Sequence, residues 1–167
     1  VLAVAMKDIA SDGRTVYKKE EEEGMVFLGF AAFLDPPKES ARAALEELRA
    51  LAIELKIITG DSEILTKRIC NDLGIEVKGM LTGADLDKMS DSQLAKKVTD
   101  ATVFARVSPE QKERIVMMLR KAGNTVGYMG DGINDAPVLK AADVGISVNN
   151  AVDVAKETAD IILLNKS

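Results

Sequence analysis

The sequence predicts an α/β fold: a mostly parallel sheet covered by helices on both faces, preceded by two further strands. Three observations carry this expectation. From residue 39 onward, short apolar runs alternate with segments of helical period. Two Ser-x-x-Gln pairs, beginning at Ser90 and Ser108, mark helix starts. The only consecutive prolines, Pro36 and Pro37, stand between the alternating region and the two leading strands.

Residues 1–34 hold the apolar runs "VLAVA" and "MVFLGFAAFL", separated by a polar connection with Asp12-Gly13 and the run Glu20 to Glu23, which reads as a solvated loop. The stretch 35–38, Asp35-Pro36-Pro37-Lys38, ends the second strand and stiffens the exit, so a domain boundary belongs there and 39–167 forms the main body. "ESARAALEELRALAIEL" puts Ala41, Ala44, Leu45, Leu48, Leu51 and Leu55 on one helical face, and "KIITGD" follows as a short strand. "SEILTKRICNDLGI" spaces Leu65, Ile69 and Leu73 by four and ends at Gly74, a C-terminal cap. Cys70 beside that stripe reads as a small buried hydrophobe. Between the two capping boxes lies the strand "ATVFARV". "TVGYMG", "DVGISV" and "DIILL" are three more strands, with helix-prone "DAPVLKAA" and "AVDVAKETA" between them.

Composition narrows the chemistry. At 167 residues and 47% hydrophobic, the chain suffices to bury a core. A net charge of -5 with scattered Lys and Arg gives no footprint for nucleic acid. One cysteine and no histidine exclude an internal disulfide and a zinc or iron–sulfur site, leaving hard, oxygen-liking metals. No apolar run approaches the roughly 18 residues of a membrane span, and the start lacks the basic flank of a signal peptide, so the chain itself is expected to be soluble. Its first residue is not Met and falls inside a predicted strand, which suggests a piece of a longer polypeptide.

In α/β sheets ligands bind at the carboxyl ends of the strands. Three polar groups fall there: Thr59 and Asp61 of "IITGD", Lys112 beyond "FARVSPEQK", and Asp131, Asn134 and Asp135 of "YMGDGIND". Asp131 follows its strand by one glycine, which lets its carboxylate reach a cation such as Mg2+. Gly130 and Gly132 permit a sharp turn that brings backbone N–H groups near a phosphate. Asn134 and Asp135 begin a helix, where capping competes with a site role. Thr59 and the Gly60 amide offer donors to phosphoryl oxygens. Lys112 sits in the first turns of its helix, the end that disfavours positive charge, which hints that it faces an anion.

Taken together, "TGD", the "SPEQK" helix and "MGDGINDAPVLKAADVGI" resemble the P-type ATPases, ion pumps built on a haloacid-dehalogenase-like phosphorylation domain. The Gly-Asp-Gly-x-Asn-Asp-Ala-Pro run carries most of that specificity, and "LDPPKES" looks like the family's hinge. "FLGFAAFLDPPKES", "KIITGDSE" and "GISVNNAVDVAKETADIILLNKS" are most similar to the bacterial magnesium-importing pumps. The resemblance implies a haloacid-dehalogenase-like, Rossmann-type sheet. It makes residues 1–34 the end of a nucleotide-binding domain, 35–38 the hinge and 39–167 the phosphorylation domain. It also implies ATP and Mg2+ as cofactors. Asp131 would coordinate Mg2+ with Asp135 in support, and Asn134 would order these ligands. Thr59 and Gly60 would hold the phosphoryl group, Lys112 would neutralise it, and Asp61 would join hinge or nucleotide contacts. The partners implied are the transported cation, Mg2+, and the rest of a pump whose membrane helices lie elsewhere, with this region on the cytoplasmic side of an inner or plasma membrane.

The departure from the family is that no D-K-T-G-T, the motif of the phosphorylated aspartate, occurs in these residues. The nucleophile is expected upstream, and the isolated chain is expected to be inactive. If the strand bearing it is central, its loss leaves unpaired edges through which the chain dimerises. Two other readings compete: a free-standing phosphatase using Asp35, and a non-catalytic Mg2+- or phosphate-binding module. Asp35 is followed by two prolines where a donor-rich loop is needed. "DLDKM" at 85–89 imitates an acid pair but reads as lacking a strand before it, which favours turn or capping roles.

Overall fold

A computed structural model describes residues 1–9, 13–33 and 38–164. The chain separates into two compact units, Val1–Pro36 and Pro37–Ser167. In the first, β1 (Leu2–Met6) and β2 (Val26–Ala31) pair antiparallel, with a register shift between Val4 and Ala5. Such a bulge sharpens the local twist of a two-stranded ribbon. The ribbon leaves apolar groups in water: Phe27 and Phe30 touch edge to face yet remain more than half exposed. Asp35, Pro36 and Pro37, which carry the hinge reading and the phosphatase alternative, lie outside the described residues, as does Asp12.

The second unit runs through α1 (Ser40–Ala50), β3 (Ile57–Ile58), α2 (Glu63–Leu73), β4 (Met80–Thr82), α3 (Gly83–Asp87) and α4 (Asp91–Lys97). It continues with β5 (Val103–Ala105), α5 (Pro109–Lys121), β6 (Gly127–Met129), α6 (Ala136–Ala141), β7 (Val144–Val148), α7 (Asp153–Thr158) and β8 (Ile161–Leu163). The predicted starts at Ser90 and Ser108 hold, each serine accepting from a backbone N–H of the first turn; Ser62 caps α2 in the same way, and Gly74 closes α2 at φ 70°. Helix α1 stops earlier than its apolar spacing suggests. Ala52 turns left-handed at φ 56°, so Leu55 leaves the helix and packs with Leu45 around Cys70. Cys70 is fully buried, and burial pushes its thiol above the ordinary range.

All strands of this unit pair in parallel, but in two sheets of three: β3-β5-β4 and β6-β7-β8. The central strand of the first sheet explains its unbroken apolar run. Val103 and Ala105 face the Cys70 cluster, Phe104 faces Leu86, Leu94, Val98 and Ile115, and all three are buried. Burying the Phe104 ring contributes about 1.5–3 kcal/mol. Helix α5 spans both sheets: Ile115, Met118 and Leu119 enter the first cluster, while Val116 packs with Tyr128, Val138 and Leu139. Ile58 and Val126 touch both clusters. Among the described residues, β3 and β6 each stand at the end of their sheet with one side unpaired.

Candidate functional site at the ends of β3, β5 and β6

The loop after β6 is held from three directions. The Gly130 N–H donates to the Ile146 carbonyl (3.1 Å), the buried Ser147 hydroxyl donates to the Gly130 carbonyl (3.0 Å), and the Val152 N–H donates to the Asp131 carbonyl (3.1 Å). A 3-10 turn, Ile133–Asp135, then feeds α6. Gly130 is required by close approach rather than by an unusual φ: a Cβ there would stand 2.6 Å from the Cβ of Asp135. The loop presents Asp131 and Asn134 to solvent and turns Asp135 inward, where it is 8% exposed.

Asp135 is the most heavily engaged carboxylate of the predicted set. Its Oδ1 accepts from Lys112 Nζ (2.8 Å) and from the Tyr128 hydroxyl (2.8 Å), and its Oδ2 accepts from the Gly132 N–H (3.1 Å). Burial pushes this carboxyl up, but Lys112, Tyr128 and the Gly132 N–H outweigh burial and hold it below the ordinary carboxylate range. The same contact acts oppositely on Tyr128: burial first, then the neighbouring charge, raises the phenol far above its usual range. The anion suggested by the position of Lys112 is, in this structure, Asp135.

Thr59 and Asp61 close on each other. The Thr59 hydroxyl donates to Asp61 Oδ2 (3.2 Å) while the Asp61 N–H donates to Thr59 Oγ1 (3.1 Å). The connection between β5 and α5 pins this turn: the Val107 N–H donates to the Thr59 carbonyl (3.1 Å) and the Arg106 N–H to that of Asp61 (2.9 Å). Gly60 lies exposed at the tip. Residues 106–108 therefore hold Thr59 and Asp61 on one side and feed the helix bearing Lys112 on the other.

Beyond the Ser108–Gln111 capping box, spacing gave no sign of the support behind that connection. Arg106 adopts a left-handed backbone (φ 51°), and its guanidinium pairs with Glu63 at 2.6 Å. Gln111 accepts from the Ser108 N–H (3.0 Å) and donates to the Gly83 carbonyl (3.0 Å) and to Asp87 (2.6 Å). The reading of "DLDKM" needs correction on one point: a strand, β4, does precede it, paired to β5. At three residues, Met80–Thr82 is too short to show an alternating pattern. Asp85 caps α3, accepting from the Thr82 N–H (2.9 Å) and hydroxyl (2.7 Å), and Asp87 serves Gln111, so both acids have structural partners.

Three comparisons place this geometry among known proteins. A family model described as haloacid dehalogenase-like hydrolase matches residues 2–143. The chain belongs to that family. More particularly, it is 49% identical over its whole length to "Magnesium-transporting ATPase, P-type 1" of Escherichia coli strain K12 and 41% identical over 98% of its length to "Calcium-transporting ATPase lmo0841" of Listeria monocytogenes. It spans 18% and 19% of those proteins. Among solved structures it resembles a zinc-transporting PIB-type ATPase in an E2.Pi state, with 32% identity and a TM-score of 0.59 over 81% of this chain and 19% of that one. It also resembles the catalytic domain of the CPx-ATPase CopB-B, with 29% identity and a TM-score of 0.56 over 83% of this chain and 42% of that one.

The family's chemistry is Mg2+-dependent, and the exposed Asp131 carboxylate is an oxygen donor of the kind a hard cation takes. Among the described residues no cluster of three carboxylate or thiol groups converges on one point. An ion here would keep waters or draw ligands from outside these residues. No helix among the described residues is long and apolar enough to cross a membrane.

Proposed function

We propose that this chain is the part of a P-type cation pump that cradles Mg2+ and the phosphoryl group, the transported ion being Mg2+. Residues 1–34 end the nucleotide-binding domain, 35–38 form the hinge and 39–167 the phosphorylation domain. The observation that carries this reading is the contact of Lys112 with Asp135, because it joins two motifs far apart in sequence at one end of the sheets.

On this reading, a strand bearing D-K-T-G-T lies upstream and inserts between the open edges of β3 and β6. A carboxylate oxygen of its aspartate attacks the γ-phosphorus of ATP. One P–O bond forms, the bond to the β-phosphate breaks, and ADP leaves; water later cleaves the acyl phosphate. Mg2+ would be held at Asp131, supported by Asp135 and Asn134, and supplies charge neutralisation at the phosphoryl oxygens. Thr59 and the Gly60 N–H orient the transferred group, with Thr59 set by Asp61. Lys112 brings a positive charge toward it. The membrane helices belong to the remainder of the pump, and this region faces the cytoplasm.

Magnesium titration followed by amide NMR tests the cradle. Shifts are expected at residues 130–132 and should vanish in Asp131→Ala; shifts that survive that change count against it. The open edges also favour self-association, so sedimentation velocity should show a concentration-dependent dimer. A strict monomer across the accessible range would contradict that part.

A further inference from the structure

The Tyr128 hydroxyl has no place in the reading above, yet it reaches into the same group. Tyr128 is the middle residue of β6, 8% exposed, with its ring packed among Val116, Val138 and Leu139. A phenylalanine would fill that position without bringing a hydroxyl that must find a partner. The partner it has is Asp135 Oδ1, the same atom that holds Lys112 Nζ, each at 2.8 Å. The Gly132 N–H takes Oδ2, so three donors from β6, α5 and the loop fix one carboxylate in position and rotation.

We propose that Tyr128 is a positioning residue: from the core side it anchors Asp135, so that Asp135 holds the Lys112 ammonium at the mouth of the site in one orientation. Without the hydroxyl, Asp135 keeps one donor on each oxygen but loses its anchor on the core side, and the pair shifts so that Lys112, whose side chain is 17% exposed, moves toward water. The role assigned to Lys112 rests on the function proposed above, whereas the Tyr128–Asp135–Lys112 linkage stands on the geometry alone.

The test uses the full 167-residue chain and two NMR signals, with inorganic phosphate and Mg2+ as the probe. A hydrogen-bonded ammonium exchanges slowly enough for its 15Nζ resonance to be seen. The Lys112 signal is expected in the wild type and should be lost in Tyr128→Phe, with amide shifts away from the site unchanged. Should that variant fail to fold, the wild type alone decides: a slowly exchanging Tyr128 hydroxyl proton supports the linkage, and its absence overturns it. An unchanged Lys112 signal in folded Tyr128→Phe also overturns it. Adding phosphate with Mg2+ separates the two ideas. A wild-type Lys112 resonance that depends on Tyr128 but ignores phosphate keeps the linkage and defeats the phosphoryl role. A resonance that responds to phosphate equally with and without the tyrosine hydroxyl keeps that role and defeats the linkage.

Discussion

Replacing Asp135 by alanine is expected to lower the melting temperature of the chain by about 6–12 °C at pH 7. The change strands two groups: the buried Tyr128 hydroxyl loses its acceptor, and Lys112 Nζ loses its counter-charge. Removing one partner of a buried ion pair costs about 3–5 kcal/mol. The two side chains here are 17% and 11% exposed and Lys112 can extend toward water, so the lower end, about 3 kcal/mol, applies. For a domain of this size each kcal/mol moves the midpoint by about 2–4 °C. The effect should also depend on pH with a definite sign. Asp135 is held below its ordinary range in the folded chain, so its contribution is complete above the unfolded value of about 4 and fades as pH falls through the folded one. The gap in melting temperature between wild type and variant should therefore be full at neutral pH and shrink in acid. A gap that widens in acid would show that Asp135 is not the charged anchor described.

Gly83→Ala is the second large effect, about 2–3 kcal/mol, or roughly 4–12 °C in melting temperature. A Cβ at this position would lie 2.4 Å from the Arg106 carbonyl oxygen and 2.7 Å from Gln111 Oε1. Gln111 is a flexible side chain and can yield. The Arg106 carbonyl is backbone, and its residue is already left-handed and tied through its N–H to Asp61. The strain should pass along residues 106–108 to both Thr59 and α5. Calorimetry of the variant checks the size, and an unchanged midpoint would mean that this connection is softer than its packing implies.

Much of this architecture was legible because its signals are local. Caps at Ser90 and Ser108 depend on residues three positions apart, and the Gly-Asp-Gly-x-Asn-Asp loop is contiguous, so both could be read before any tertiary contact was known. What escaped depends on partners distant in sequence. Strand β4 is three residues long and is defined by pairing with β5, twenty-three residues later. Gly83 is small because of Arg106, a neighbour in space alone. Tyr128 read as one more aromatic in a strand, since alternation states which face a side chain takes but not what its hydroxyl meets. The early end of α1 lies in the backbone of Ala52, a residue whose identity gives no hint of a left-handed turn. The division into two sheets depends on which strand edges pair, and no local pattern states that.

The central claim is that these residues hold the phosphoryl cradle and not its nucleophile. Incubation with γ-labelled ATP and Mg2+, followed by acid quench, tests it most directly. The account predicts no acid-stable label and no sustained hydrolysis by the chain alone, with label appearing once it is joined to an upstream segment containing D-K-T-G-T. Acid-stable label on the chain alone would contradict it.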